Sequence, residues 1–432
     1  MKKQNTVMWW FSLGLAVLMA GCTTSERPGV LPGDEPVAAD EKFRVVPLSS
    51  LPETKPRALS GRYVEVAWNT LPGWQGDDLQ GYWINFLRNC QGLMRPTSGN
   101  VSVPARAAPR AWHAVCVAAL DSSKAPAPND AGAIRKFLQT YLTPWRLDTA
   151  DQRQADGMVT GYYEPIVEGS RKRQGKYQWP LYGVPENLLN IELGDLYPEL
   201  AGKRVRGKVV GNRVVPYDSR AQLAKSDDNL PVIVWLDDPV DNFFLQVQGS
   251  GRVHLADGPD AGQTIRLAYA NHNGHPYKSI GRWLADQGEL PINQASMQNI
   301  RAWAKKNPSR TQEMLNANPG VVFFREEAIA DAQQGPKGAY GVHLGAQRAI
   351  AVDPTFVPLG TPVYLTTTMP ASNQPLQKMV FAQDTGAAIK GAARADFYWG
   401  SGQQAGETAG RMKQRGQMWL LWPKSAGEPS AR

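Results

Sequence analysis

Apolar residues recur at helical spacing in three early stretches: Leu79, Tyr82, Trp83, Phe86, Leu87 and Cys90, then Trp112, Val115, Cys116 and Ala119, then Ile134, Phe137, Leu138 and Tyr141. Such spacing puts each set on one helix face, so residues 79–142 read as helices, with Asn129 placed to cap the third. From Gly157 the pattern changes to short apolar runs broken by Gly, Pro and Asp. Residues 232–236 form one such run, closed by Asp237, Asp238 and Pro239; 243–247 follow, then a Gly-Ser-Gly turn, then 252–255 and 264–269. Short strands with this punctuation predict a small barrel. Met297, Ile300, Trp303 and Ala304 mark a helix resuming near Asn293, and Ser309 with Gln312 offers a capping box for the next. Strand patterning returns after Val321 and runs to Trp422. The expected class is mainly β with accessory helices, α+β.

The front of the chain changes this picture. Lys2 and Lys3 precede an apolar core over 7–20, too short for a spanning helix, and Met19-Ala20-Gly21-Cys22 has the form of a lipoprotein cleavage site. Residues 1–21 are therefore expected to be a signal peptide and Cys22 to carry lipid. Met19 departs from the usual Leu, Val or Ile, and Thr23 after the cysteine suits sorting to the outer membrane. Residues 22–56 are rich in Pro, Ser, Glu and Asp and read as a disordered tether, with a reach on the order of 100 Å when extended. Two cysteines remain, Cys90 and Cys116, each on an apolar helix face. An even pair in an exported chain points to a disulfide, with two buried thiols as the alternative. The net charge of +8 favours anionic partners; nucleic acid is set aside because an exported chain seldom meets it.

Candidate chemistry concentrates in residues 381–400. Asp384 ends the apolar run Met379, Val380, Phe381, Ala382 and precedes a turn at Thr385 and Gly386, so its carboxyl projects from a rigid strand end. Asp396 follows between Arg394 and the aromatic run Phe397, Tyr398, Trp399. Two carboxylates beside aromatics suit acid–base work on a sugar polymer. The plainer reading is that both acids cap turns or pair with Lys390 and Arg394. The five histidines are scattered, with His272 and His275 on a loop, and no metal site is expected. Neither a phosphate loop nor a dinucleotide fingerprint occurs, and no cofactor is expected.

Residues 381–400, with Gly161-Tyr162-Tyr163-Glu164-Pro165, Gln246-Val247-Gln248-Gly249-Ser250-Gly251, Asn271 to Tyr277, Asn318-Pro319, and Gly406 to Trp419, resemble the membrane-bound lytic transglycosylase A family in the same order. The last part also resembles a barrel family named for three aspartates, matched by Asp353, Asp384 and Asp396. The resemblance implies a double-psi β-barrel built from 57–165 and 320–432, a second β domain inserted over 166–319, and a groove between them. It implies cleavage of murein at the MurNAc–GlcNAc β-1,4 bond without hydrolysis, leaving 1,6-anhydroMurNAc ends. Asp384 would act first as acid and then as base, needing a raised pKa for the first step. Asp396 and Asp353 would support it, and Tyr163, Gln246, Gln248, Ser250 and Lys390 would contact substrate. Implied surroundings are the glycan strands, a membrane reached through Cys22 in a Gram-negative periplasm, and cell-wall synthesis or division proteins. Two other readings stand beside this one: an inverting hydrolase on the same barrel, and an expansin-like wall-binding module. Ala387, where many relatives carry a second Gly, and the length of the segment after Lys390 depart from the family pattern.

Overall fold

The structure is a computed structural model and describes residues 43–431 apart from 52, 54–55, 96–104, 195, 198–199, 201–204 and 226–229. The signal segment, Cys22 and the tether up to residue 42 lie outside the described residues. In chain order, β1 (Arg62–Glu65) leads to helices α1 (Tyr82–Leu93), α2 (Pro109–Leu120) and α3 (Ala131–Tyr141). Strands β2 (Leu142–Asp148) and β3 (Gly157–Glu164) follow, and the chain then leaves for a second body of structure.

Aromatic stacking seats the helices on the barrel. Tyr82 stacks on Phe381 with ring centroids 4.9 Å apart, Trp83 stacks on Phe86 at 5.2 Å, and Phe137 meets Trp83 edge-on. Truncating a buried ring such as Phe86 to Ala would cost about 3–5 kcal/mol. Cys90 on α1 and Cys116 on α2 are joined, sulfur to sulfur at 2.10 Å. The third helix is capped by Asp130 and not by Asn129: its carboxylate accepts the Ala133 N–H at 2.9 Å. Asp130 stands directly before the first helical residue, where a side-chain oxygen can reach the third turn donor.

The inserted body comprises β4 (Ile166–Ser170), β5 (Trp179–Tyr182), β6 (Leu189–Ile191), β7 (Val205–Val210), β8 (Arg213–Pro216), α4 (Arg220–Leu223), β9 (Val232–Leu236), α5 (Pro239–Gln248), β10 (Ser250–Leu255), β11 (Thr264–His272), α6 (Ile280–Asp286), α7 (Met297–Lys306), α8 (Pro308–Asn316) and β12 (Val322–Glu327). Six of these strands run in the order β12-β11-β10-β4-β9-β5, and Gly183 bridges Phe324 so that the first and last come together. Leu181, Val234, Leu236, Val253, Leu255, Leu267 and Phe324 fill the interior. Strands β6, β7 and β8 form a separate small sheet.

Residues 243–247 are helical, contrary to the strand expected from their apolar run. Asp238 accepts the N–H groups of Val240 and Asp241 at 2.8 and 3.0 Å, Pro239 opens the helix, and Gly249 ends it at φ 78°. Five apolar residues do not distinguish strand from helix, whereas an Asp-Pro start and Gly stop do. Ser309 also fails to cap: α8 starts at Pro308 directly after Asn307, which places Ser309 inside the first turn.

The chain re-enters the first body through β13 (Ala349–Val352), β14 (Pro362–Thr368), β15 (Pro375–Asp384), β16 (Ala395–Ser401), α9 (Gln403–Arg411) and β17 (Lys413–Pro423). The sheet order is β1-β2-β17-β14-β15-β13-β16-β3, and β17 pairs with β3 as well. That extra pairing closes a ring of β17, β14, β15, β13, β16 and β3, with parallel pairs at β13–β15 and β16–β3. A closed ring leaves no bare edges. Among the described residues no helix is long and apolar enough to cross a membrane.

Candidate active site

The three central strands of the ring set the two acids. Ala351 on β13 is in register with Asp384 on β15 and with Asp396 on β16. Neighbouring strands lie ~4.8 Å apart, so the acids stand roughly 10 Å apart at the backbone on either side of Ala351. A bulge precedes Asp384: Ile350 pairs with Ala382, Ala351 with Asp384, and Gln383 is the extra residue. Bulges re-aim side chains at strand ends. Gln383 turns inward, its amide donating to Asn89 at 3.2 Å, and Asp384 stays partly exposed.

Strand β3 supplies the neighbours from one face, because residues two apart point the same way. Thr160 donates to Asp396 at 2.6 Å, and Tyr162 donates to Asp384 Oδ2 at 3.2 Å. Arg394 donates to the Thr160 hydroxyl at 2.9 Å. Asp384 Oδ1 accepts the backbone N–H groups of Ala339 and Thr385, both at 2.9 Å. Below the acids, Tyr162, Leu344, Ala349, Ala351, Ile389 and Tyr398 make a small apolar cluster of their own, with the two tyrosine rings 5.2 Å apart. Burial in this setting pushes Asp396 up to about 6, with the nearby Asp384 charge adding to the rise and Thr160 and Arg394 opposing it. Tyr162 is held well above the usual phenol range, first by burial and then by Asp384, so its hydroxyl keeps its proton.

Asp353 is buried and works on backbone. One oxygen accepts the Thr355 N–H at 3.1 Å and its hydroxyl at 2.9 Å, and the other accepts Gly391 N–H at 2.9 Å. Gly391 has φ +105°, a conformation open to glycine. Asp353 thus staples the end of β13 to the turn that carries Lys390, which is exposed.

The residues expected to contact substrate do not all gather here. Tyr163 points to the opposite face of β3 from Tyr162, buried in the main core, with its hydroxyl on Met297 Sδ at 3.6 Å. Gln246 is buried and committed: its oxygen takes Arg220 Nη2 at 2.9 Å and Val322 N–H at 3.3 Å, and its amide donates to Asn242. Both side chains therefore have partners within the protein in this structure. Gln248 accepts the Tyr163 N–H at 3.1 Å where α5 meets β3, and Ser250 is buried at the start of β10. Thr160, Tyr162 and the Ala339 N–H were missed as partners of the acids; the alternation of β3 was the available signal for the first two. Among the described residues no group of three or more His, Cys, Asp or Glu is arranged to hold a metal ion.

A closed ring carrying three aspartates, with a second sheet inserted after β3, defines a two-body protein of the three-aspartate barrel class. Family models agree on both halves: the MltA specific insert domain matches residues 158–325, and the 3D domain matches 348–422. The chain is 30% identical over 297 residues to membrane-bound lytic murein transglycosylase A of Escherichia coli (strain K12), covering 67% of this chain and 72% of that protein. Among solved structures it is similar to LtgG, a lytic transglycosylase of Burkholderia pseudomallei, at 44% identity and TM-score 0.55, covering 87% of this chain and 99% of that one. It is also similar to E. coli MltA with bound chitohexaose, at 27% identity and TM-score 0.57, covering 88% and 98%. The chain belongs to the membrane-bound lytic murein transglycosylase A family.

Proposed function

We propose that this protein is a lytic transglycosylase that cleaves the MurNAc–GlcNAc β-1,4 bond of murein, with Asp384 as the only proton-transfer group. The observation that carries this reading is the division of labour between the two oxygens of Asp384. Oδ1 is engaged by two backbone N–H groups, and Oδ2 meets a phenol that stays protonated. Oδ2 is therefore the oxygen that gives and takes a proton. It protonates the glycosidic oxygen as the bond to C1 breaks. The resulting carboxylate, with Tyr162 donating to it, then removes the proton from the sugar's own C6 hydroxyl. O6 bonds to C1, the anhydro ring closes, and Asp384 ends protonated as it began. No water is consumed, so one carboxyl suffices where hydrolases need two.

The family match and the chitohexaose carried by a relative support a glycan strand lying over the acids, in a groove between the barrel and the inserted sheet. The proposed division is a signal peptide over 1–21, a tether over 22–56, barrel parts over 57–165 and 320–432, and the insert over 166–319. Lipidation at Cys22 would anchor the protein to the outer membrane, and its relatives' description as membrane-bound supports that placing. Digestion of purified murein tests the activity. Fragments ending in anhydro rings, one water lighter than hydrolysis products, are expected. Reducing ends would mean a hydrolase, and no solubilisation at all would mean a binding module. Asp384→Asn should lower turnover at least about a thousandfold while leaving murein binding intact; undiminished clearing would reject Asp384.

A further inference from the structure

On the face of β3 that carries Thr160 and Tyr162, the next residue is Glu164, completely buried. Its carboxylate accepts from Arg252 Nε on β10 at 2.8 Å, from Arg266 Nε on β11 at 2.6 Å, and from Ser401 Oγ at the end of β16 at 2.8 Å. Both arginines are buried as well. They pass onward to the segment returning from the insert: Arg252 donates to the carbonyls of Ala332 and Gln334 at 2.8 and 3.1 Å, and Arg266 also donates to Gln334. One carboxylate thus ties together both crossings between barrel and insert, two strands of the insert, and the end of a barrel strand.

Each crossing delivers a donor to Asp384. The outgoing one carries Tyr162, two residues before Glu164; the returning one carries Ala339, five residues after Gln334. A third route runs through Ser401, whose hydroxyl lies 3.4 Å from that of Tyr398, the ring packed on Tyr162. Apolar packing would join the two bodies without fixing direction. Charge-assisted hydrogen bonds fix distance and angle, and buried ones tolerate little drift.

We infer that Glu164 is a positioning residue for the reaction: the buried Glu164–Arg252–Arg266 junction sets where the Tyr162 hydroxyl and the Ala339 N–H meet Asp384. This rests on the reading of Asp384 as the proton donor. It gives the inserted sheet a part in proton transfer besides any contact with glycan. Glu164→Gln keeps the volume but places an amide N–H against arginine donors, so the junction relaxes.

Steady-state kinetics on murein fragments with the full chain test it, beside Asp384→Asn. Glu164→Gln should lower kcat about a hundredfold, as a displacement near 1 Å does, with KM changed less than about twofold. Tyr162→Phe, costing about tenfold alone, should cost less than about twofold more in the Glu164→Gln background, because the Tyr162 hydroxyl is already displaced from Asp384 there, along with the Ala339 N–H. Ser401→Ala removes one arm of the junction and carries the test if Glu164→Gln does not fold. It should lower kcat about tenfold at unchanged KM. Wild-type kcat in a folded Glu164→Gln or Ser401→Ala protein, or full multiplication with Tyr162→Phe, would overturn the inference. An active Asp384→Asn would instead overturn the reading beneath it.

Discussion

Asp384 and Asp396 share one register partner, Ala351, which separates them by a strand on each side. The barrel therefore holds two carboxyls on one face with a methyl group between them. They are close enough for the charge on Asp384 to raise Asp396, yet each has its own partner from β3.

Asp396 gives a pH prediction with a definite sign. Its carboxyl lies at about 6 in the fold against 3.8 without it, so between these values the folded state binds the extra proton. Stability from this group is fully present below the lower value and is lost as pH rises to the upper one. Relative to Asp396→Asn, the wild-type protein should lose on the order of 2–3 kcal/mol between pH 4 and 6. Denaturant unfolding of both proteins across that interval measures it. A constant difference would show that Asp396 titrates normally.

Tyr162→Phe keeps the ring on Tyr398 and removes only the hydroxyl. Turnover is expected to fall about tenfold, within the range of a lost hydrogen bond to a charged group. Thermal unfolding should change little. Equal losses of stability and turnover would make Tyr162 a packing residue.

Asp353→Ala should act on stability first. It strips acceptors from the N–H groups of Thr355 and Gly391, at a cost of about 1–3 kcal/mol for a buried donor left alone. Hydrogen exchange should quicken at Gly391 and its turn while the rest of the barrel stays protected. Unaltered exchange there would remove Asp353 from the role of staple.

Cys90 and Cys116 enclose a separation of 26 residues. Replacing both with Ser should lower stability by about 3 kcal/mol, chiefly by freeing the unfolded chain. A reducing agent should bring the wild-type protein to the same melting temperature, and failure to do so would mean the thiols are unpaired in solution.

How much of this was legible from residues alone depended on range. The helical faces of 82–93, 109–120 and 131–141 declare themselves through local spacing, and Asp384 through a strand that stops at a turn. The apolar run of the inserted helix α5 is too short to separate strand from helix, and only its Asp-Pro start and Gly stop favour the helix. Tyr162 and Tyr163 look alike in sequence, and only the partner strands assign one to the acids and the other to the main core. Nothing local marks Glu164, whose arginines lie 88 and 102 residues away. A buried charge is written in the chain as an ordinary surface residue.

The ring arrangement also makes its closure a long-range event in the chain. Thr160 and Asp396, hydrogen-bonded neighbours, are separated by 236 residues of chain, and the strand that locks β3 into place, β17, comes later still. Contacts so distant in the chain form slowly, after the local helices and hairpins. A protein cut short just before Lys413 would keep every acid and tyrosine discussed above and still lack an active centre, because β3 would have lost one of its two flanking strands. In this molecule β17 acts as the latch.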